Sequence, residues 1–259
     1  MSLLFGKIQN EKFLFISLVA VAFLNIFSNL ISEEIAILVG NFVYVPVAGT
    51  LVFVAALLLK RLGSSGTHGM AWISLFGFAV MWFLAEMIWV TEEIFLNIEP
   101  YPSTADIFYL MGYPFLLLFL ISYLEPVKKA ITKEIFAIPL IISASVLLPC
   151  LFFALHDVEY VGNLEFTIAA AYPVADAFVI VPALIGIHLF FRGQVNFMWS
   201  LVCIGIISVF IADTAFLFGQ VDDWYYTGHP IEILFQWTYV LIAFGVYDQL
   251  RIFKRISNQ

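Results

Sequence analysis

The sequence predicts an all-α polytopic membrane protein with eight transmembrane helices, both termini on the cytoplasmic side, and the helices arranged as repeated hairpins. Three observations carry that expectation. The 259 residues are 63% hydrophobic and only 12% charged, with a mean hydropathy of +1.02, whereas soluble domains are nearer half apolar and a quarter charged. Apolar runs of spanning length recur along the chain. The basic residues segregate to one side of an eight-helix arrangement.

The runs are Phe13–Ile31, Ile35–Leu59, Met70–Val90, Ile107–Leu124, Ile135–Leu155, Phe166–Phe191, Phe197–Gly219 and Ile231–Tyr247. No small-residue cleavage site follows the first, which therefore reads as a retained helix. All 11 basic residues fall at the N-terminus, in the even-to-odd connections or at the C-terminus. The positive-inside rule makes that side cytoplasmic. The opposite connections are acidic, with Glu33, Glu34, Glu92, Glu93, Glu99, Asp157, Glu159, Asp222 and Asp223. The pI near 4.9 argues against a nucleic-acid partner. Residues 1–259 read as one transmembrane domain with no room for a soluble one. The tail "QLRIFKRISNQ" reads as a basic anchor against anionic lipid, so membrane lipids are expected partners. Cys150 and Cys203 lie inside helices at different depths and are expected to stay unpaired.

A repeated spacing runs through the later helices. Asp106 precedes Tyr113 by seven residues, Glu165 precedes Tyr172 by seven, and Glu232 precedes Tyr239 by seven. Proline follows the first two tyrosines, at Pro114 and Pro173. Glu86 lies 20 residues before Asp106, and Asp213 lies 19 before Glu232. Helix five has only Ser145 and Pro149 in the corresponding region, and helices one and two offer Asn25, Asn41 and Pro46. Two helical turns put each acid and its tyrosine on one face, about 10 Å apart. The alternative is that the acids are caps. Ser103-x-x-Asp106 has the form of a capping box, and Pro230 stands near the first helical position before Glu232.

The candidate site rests on Glu86, Asp176 and Asp213, which lie within spans. An ionisable group there is costly unless it is paired, hydrated or neutral, and no lysine or arginine lies in a span to pair with it. Tyr172 shares a face with Asp176, and Trp82 and Trp89 flank Glu86. With Tyr113, Tyr239 and Gln236, and with Asn25, Asn41, Thr214 and Thr238 at similar depth, these residues are candidates to line an outward-facing polar pocket for a ligand. The competing reading is a buried hydrogen-bond network that fixes helix packing. No cofactor is expected. No lysine stands in a helix interior, which excludes a retinal Schiff base, and His188 alone lies within a span, which argues against a bis-histidine haem. No metal site is expected either, since His156, Asp157 and Glu159, and His229, Asp222 and Asp223, are loosely spaced. In "VDDWYYTGHP", Trp224, Tyr225 and Tyr226 suit the membrane–water interface; the alternative is that they bind an apolar or aromatic ligand.

"PYPSTADIFYLMGYPFLLLFLI" resembles a segment of the multi-helix membrane sensor regions that precede diguanylate cyclase and histidine kinase domains in bacteria and archaea. The matching residues are Pro102, Ser103, Ala105, Asp106, Tyr109, Leu110, Tyr113 and Pro114. "AAAYPVADAFVI" and "ISVFIADTAFLFG" resemble later segments of the same regions through Tyr172, Pro173, Asp176, Ala212 and Asp213. The resemblance implies a sensor module, here expected to work through a separate cytoplasmic or membrane signalling partner because the chain carries no output domain. A fainter resemblance is to the lysoplasmalogenase-like family, through "SVFIADTAFLF" and "QWTYVLIAFGVYDQ". That family's Gly-Asp of helix three is Ala85-Glu86 here.

The leading expectation is an integral sensor or receptor-like module of the cell membrane. The alternatives are an intramembrane lipid hydrolase using two of the acids on a water, a proton- or cation-coupled transporter, and an accessory subunit of a membrane complex.

Overall fold

Backbone groups that leave water must bond within the protein, and an apolar chain of spanning length achieves this as a helix or a closed barrel. This chain takes the helix. A computed structural model describes residues 2–156, 164–190 and 196–256, with side chains described over 11–156, 164–190 and 197–251. Its elements are α1 (Ser2–Ile31), α2 (Glu33–Leu62), α3 (Gly69–Val90), a π-helical turn (Thr91–Phe95), α4 (Thr104–Leu124), a 3₁₀ turn (Glu125–Ala130), α5 (Lys133–Ala154), α6 (Leu164–Phe190), α7 (Asn196–Val221) and α8 (Glu232–Ile256). No strand occurs among the described residues.

Local chemistry sets the helix ends. Ser32 accepts from the Ile35 N–H at 3.2 Å to open α2, and Thr132 accepts from the Ile135 N–H at 3.4 Å to open α5. The capping box expected at Ser103 opens α4, with the Ser103 N–H donating to Asp106 Oδ2 at 2.7 Å. Each cap satisfies amides that the helix itself leaves unbonded. Pro114 and Pro173 lie inside α4 and α6, and both helices continue through them.

Among the described residues, seven helices are long and apolar enough to cross a membrane: α1 to α7. The protein is a multi-pass membrane protein. The eighth expected span, α8, is less apolar because its middle carries Gln236, Thr238 and Tyr239. All three are buried, so α8 turns this polar face to protein rather than to lipid.

Six helices close a ring. α2 packs on α3, α3 on α4, α4 on α6, α6 on α7, α7 on α8, and α8 returns to α2. α1 lies outside against α2 and α8, and α5 lies outside against α6. Exchanging α1–α4 with α5–α8 maps the ring onto itself, and each consecutive pair forms a packed hairpin. α5 is the loosest member. Only Pro139, Ser143, Cys150 and Ala154 are buried on it, and the Ser143 hydroxyl donates to the α6 carbonyl of Ala177 at 2.8 Å. Apolar troughs of about 700 and 590 Å³ run beside it. Cys150 and Cys203 are both buried and free.

α3 and α4 approach closely at Gly112, where a Cβ would stand 2.3 Å from Cδ1 of Trp82. A methyl group there forces the indole or the helix to move, and overpacking of this kind costs about 1–3 kcal/mol. Gly112→Ala is therefore expected to lower the thermal unfolding midpoint of the purified protein and to red-shift its tryptophan emission as Trp82 leaves its seat.

Candidate functional site

The ring encloses a cavity at the end of the bundle that carries the acidic connections. It offers about 70 Å³ to the centre of a water molecule, and all six ring helices line it. The lining follows the two-half correspondence. Trp82, Glu86 and Trp89 of α3 answer to Val209, Asp213 and Phe216 of α7 at the same spacings. Asp106, Tyr109 and Tyr113 of α4 answer to Glu232, Phe235 and Tyr239 of α8, and Tyr44 of α2 answers to Tyr172 of α6.

Four phenol–carboxyl contacts repeat the same correspondence. Tyr172 of α6 donates to Asp106 Oδ1 of α4 at 2.5 Å, as Tyr44 of α2 donates to Glu232 Oε2 of α8. Tyr239 of α8 donates to Glu86 Oε1 of α3 at 2.5 Å. Tyr113 of α4 likewise lies 2.5 Å from Asp213 Oδ2 of α7. Tyr113 also lies 2.9 Å from Asp176 Oδ1 of α6, and here the correspondence ends, because α2 has Ala48 in the equivalent place.

The chemistry of these acids differs. Asp106 and Glu232 sit in the first turns of α4 and α8, where the helix dipole favours negative charge. Both oxygens of each are occupied: Asp106 by the Ser103 N–H and Tyr172, Glu232 by Tyr225 and Tyr44. Glu86 and Asp213 lie far from the first turns of α3 and α7 and have no such dipole. The phenol of Tyr113 carries one hydrogen, so it donates to one of its two carboxyl neighbours, and the other contact needs a hydrogen from the carboxyl side. Asp176 is fully buried, and no donor is bonded to its Oδ2. Its carboxyl lies within hydrogen-bonding reach of Asp213. The arrangement is that of two carboxyls and a phenol sharing hydrogens.

The sequence-predicted residues are thus partly gathered. Glu86, Asp213, Tyr113, Tyr172, Tyr239, Trp82 and Trp89 line the cavity. Asp176 stands behind it, bonded to Tyr113. Gln236 is buried with neither amide atom bonded and is not part of the lining. Glu165 is exposed, and Tyr172 reaches Asp106 instead. Asp106 caps α4 and also lines the cavity, and Glu232, expected as a cap, instead gives both oxygens to phenols at the cavity wall. Tyr44, Tyr109 and Tyr225 were not singled out by spacing, although Tyr44 and Tyr225 stand near short polar signals, Asn41 and Asp222–Asp223.

The connection between α7 and α8 closes the acidic end. Tyr225 and Thr227 line the cavity from above, and the Trp89 indole donates to Thr227 Oγ1 at 3.1 Å and to Glu93 Oε2 at 3.2 Å. Glu93, on the π-helical turn, also accepts from Asn41 Nδ2 at 2.6 Å. Asn25 and Asn29 of α1 donate to the Gly228 carbonyl at 2.9 and 2.7 Å, and Tyr226 donates to Asn29 Oδ1 at 2.6 Å. Gly228 has φ +88, and a Cβ on it would meet the Ala36 carbonyl oxygen at 2.2 Å. So Asn25 and Asn41 hold the closure rather than the cavity. On the other side, Tyr101 donates to the Glu165 carbonyl and stacks edge-on against Phe216, with ring centroids 5.0 Å apart. Burial, then the Glu232 carboxylate, push the Tyr225 phenol well above its ordinary pKa, which keeps it a donor.

His229 and His156 were weighed as metal ligands with neighbouring acids. Asp157 and Glu159 lie outside the described residues. Among the described residues no three His, Cys, Asp or Glu side chains group to hold a metal ion. His229 instead accepts from the Ile231 N–H at Nδ1, at 3.2 Å.

Two outcomes follow for this closure. Gly228→Ala is expected to detach the connection from α1 and α2 and to expose residues 224–230 to protease while the bundle stays folded. Burial lowers the His229 pKa, so the neutral ring is the folded form, and protonation would also remove the Nδ1 acceptor. The closure is therefore stable above the ordinary histidine pKa of about 6.5 and loosens as pH falls through the lowered folded value. The Trp224 ring lies 5.0 Å from His229, so its emission, isolated by comparison with Trp224→Phe, should fall in that acidic range and lose the dependence in His229→Gln.

No protein-family model, curated protein or solved structure matches the chain, so its function is argued from the site alone.

Proposed function

We propose that the protein is a receptor-like sensor module of the cell membrane. Eight helices cross the bilayer with both termini cytoplasmic, a small ligand reaches the cavity from the outer side, and a separate signalling partner reads the resulting change in helix packing. The observation that carries this reading is that one cavity is lined by all six ring helices and is braced by phenol–carboxyl bonds between them. A ligand that exchanges partners with any of these bonds acts on several helices at once, which is the differential contact a population shift requires. The orientation is supported by the basic residues at the far end and by Glu33, Glu34, Glu92, Glu93, Asp222 and Asp223 near the cavity. α8 is read as the eighth crossing because it is packed between α2 and α7.

A second reading, hydrolysis of a lipid, is favoured by one observation. Tyr113 lines both the acid cavity and the apolar trough of about 700 Å³ between α4, α5 and α6. An acyl chain in the trough would bring its polar end toward Asp213. Lysolipid hydrolysis in vesicles that disappears in Glu86→Gln would put this reading first.

The receptor reading predicts coupling between the two ends of the bundle. Asp176→Asn combined with Asp213→Asn removes the shared-hydrogen cluster while keeping side-chain size. It is expected to leave insertion intact and to change amide exchange in residues 63–68 and 125–132, at the far end, on the order of tenfold. Unchanged exchange there would overturn the coupling.

A further inference from the structure

We infer that the cavity takes an organic ammonium ion, seated against Glu86 with its hydrocarbon part toward α7 and α8. This rests on the reading of the cavity as a ligand site, and it deepens that reading by naming the ligand's chemistry.

The sign of the charge comes first. Glu86, Asp106, Asp213 and Glu232 line the cavity, and among the described residues no lysine, arginine or histidine does. An anion is excluded by this lining. Asp106 and Glu232 sit in helix first turns, where the dipole favours their charge. Glu86 has no such dipole: it lies toward the C-terminal end of α3 at 4% exposure, met only by the uncharged phenols of Tyr239 and Tyr109. The same end of the molecule carries the acidic connections, which concentrate cations there.

The kind of cation comes next. The acids are dispersed around the ring, so no three of them group to chelate a metal among the described residues. Between them stand aromatic faces. The Trp82 ring lies 5.8 Å from Tyr113, 5.6 Å from Tyr239 and 6.4 Å from Tyr109 by centroid, each edge to face. These rings pack edge to face on one another, and with Trp89 they give the cavity an aromatic wall beside the Glu86 carboxyl. Such a wall suits a soft, weakly hydrated ammonium group better than a metal ion that needs several oxygens to replace its water.

The two-half correspondence gives the orientation. Where one half has Trp82, Trp89 and Tyr109, the other has Val209, Phe216 and Phe235. Tryptophan is the strongest of the aromatic cation hosts. The charged group therefore belongs to the α3–α4 side, and the other half presents a hydrocarbon surface to the remainder of the ligand. A symmetric cavity would carry no such direction.

The experiment uses the full chain in lipid nanodiscs, with tryptophan emission and calorimetry as readouts. The probes are tetramethylammonium, choline, and the uncharged isostere of choline in which carbon replaces the quaternary nitrogen, with potassium and calcium as metal controls. Saturable binding of the ammonium probes is expected, with no response to the isostere or the metals at equal ionic strength. Glu86→Gln keeps the side-chain shape and should weaken choline binding roughly tenfold or more. Trp89→Phe, at the rim, should weaken it less. Equal binding of the isostere overturns the cation assignment while leaving a ligand cavity in place. Binding of calcium or potassium instead, or no response across the ammonium probes, overturns it as well. The receptor reading stands or falls separately, on amide exchange measured without any probe.

Discussion

A carboxyl group carried into a membrane-embedded bundle must find hydrogen-bond donors there, and in this protein the donors are tyrosine phenols from other helices. Every acid that lines the cavity is met in this way, and each bond joins two different helices. A lysine or arginine would neutralise the charge outright. A phenol only hydrogen-bonds it, leaving the charge available to something else. The helix ring, the closure over it and the apolar outer faces can be understood as what is needed to keep these four contacts dry and in place.

The four contacts also organise the fold. Exchanging the first four helices with the last four converts each of these four bonds into another; the added contacts of Asp176 with Tyr113 and of Tyr109 with Glu86 have no counterpart. The added Asp176 carboxyl turns one simple phenol–acid pair into a three-group cluster between α4, α6 and α7. The ring therefore has one brace that differs in kind from the other three, as well as one aromatic and one aliphatic wall.

Much of this was legible in the sequence. The apolar runs marked the long helices, because lipid imposes length and composition directly. Glu86, Asp176 and Asp213 stood out because acids without cationic partners are rare in such runs. The recurring seven-residue spacing pointed to Tyr113 and Tyr239. Their partners were hidden, since spacing along one helix is silent about which neighbour a phenol faces. Tyr172 was grouped with Glu165 by that spacing but reaches Asp106 across the ring. Asp106 and Glu232 read as caps; Asp106 is one, whereas both oxygens of Glu232 go to phenols. Both reach the cavity because the first turns of α4 and α8 open directly onto it. Tyr44 is hidden among an aromatic content of 17%, Tyr109 and Tyr225 stand out in the sequence for other reasons than the cavity, and Asn25 bonds the Gly228 carbonyl rather than lining the cavity.

The loose attachment of α5 has a consequence for handling the molecule. With four buried residues and two apolar troughs along its seam with α4 and α6, this helix leaves space that the acyl chains of a bilayer would fill. Bilayer thickness and chain saturation would then act on the packing around α4 and α6, and a detergent micelle, which cannot supply ordered chains, would disturb it first. Samples that keep a ring of native phospholipid should retain the seat of Tyr113, whereas stripped ones should lose it before the six-helix ring comes apart.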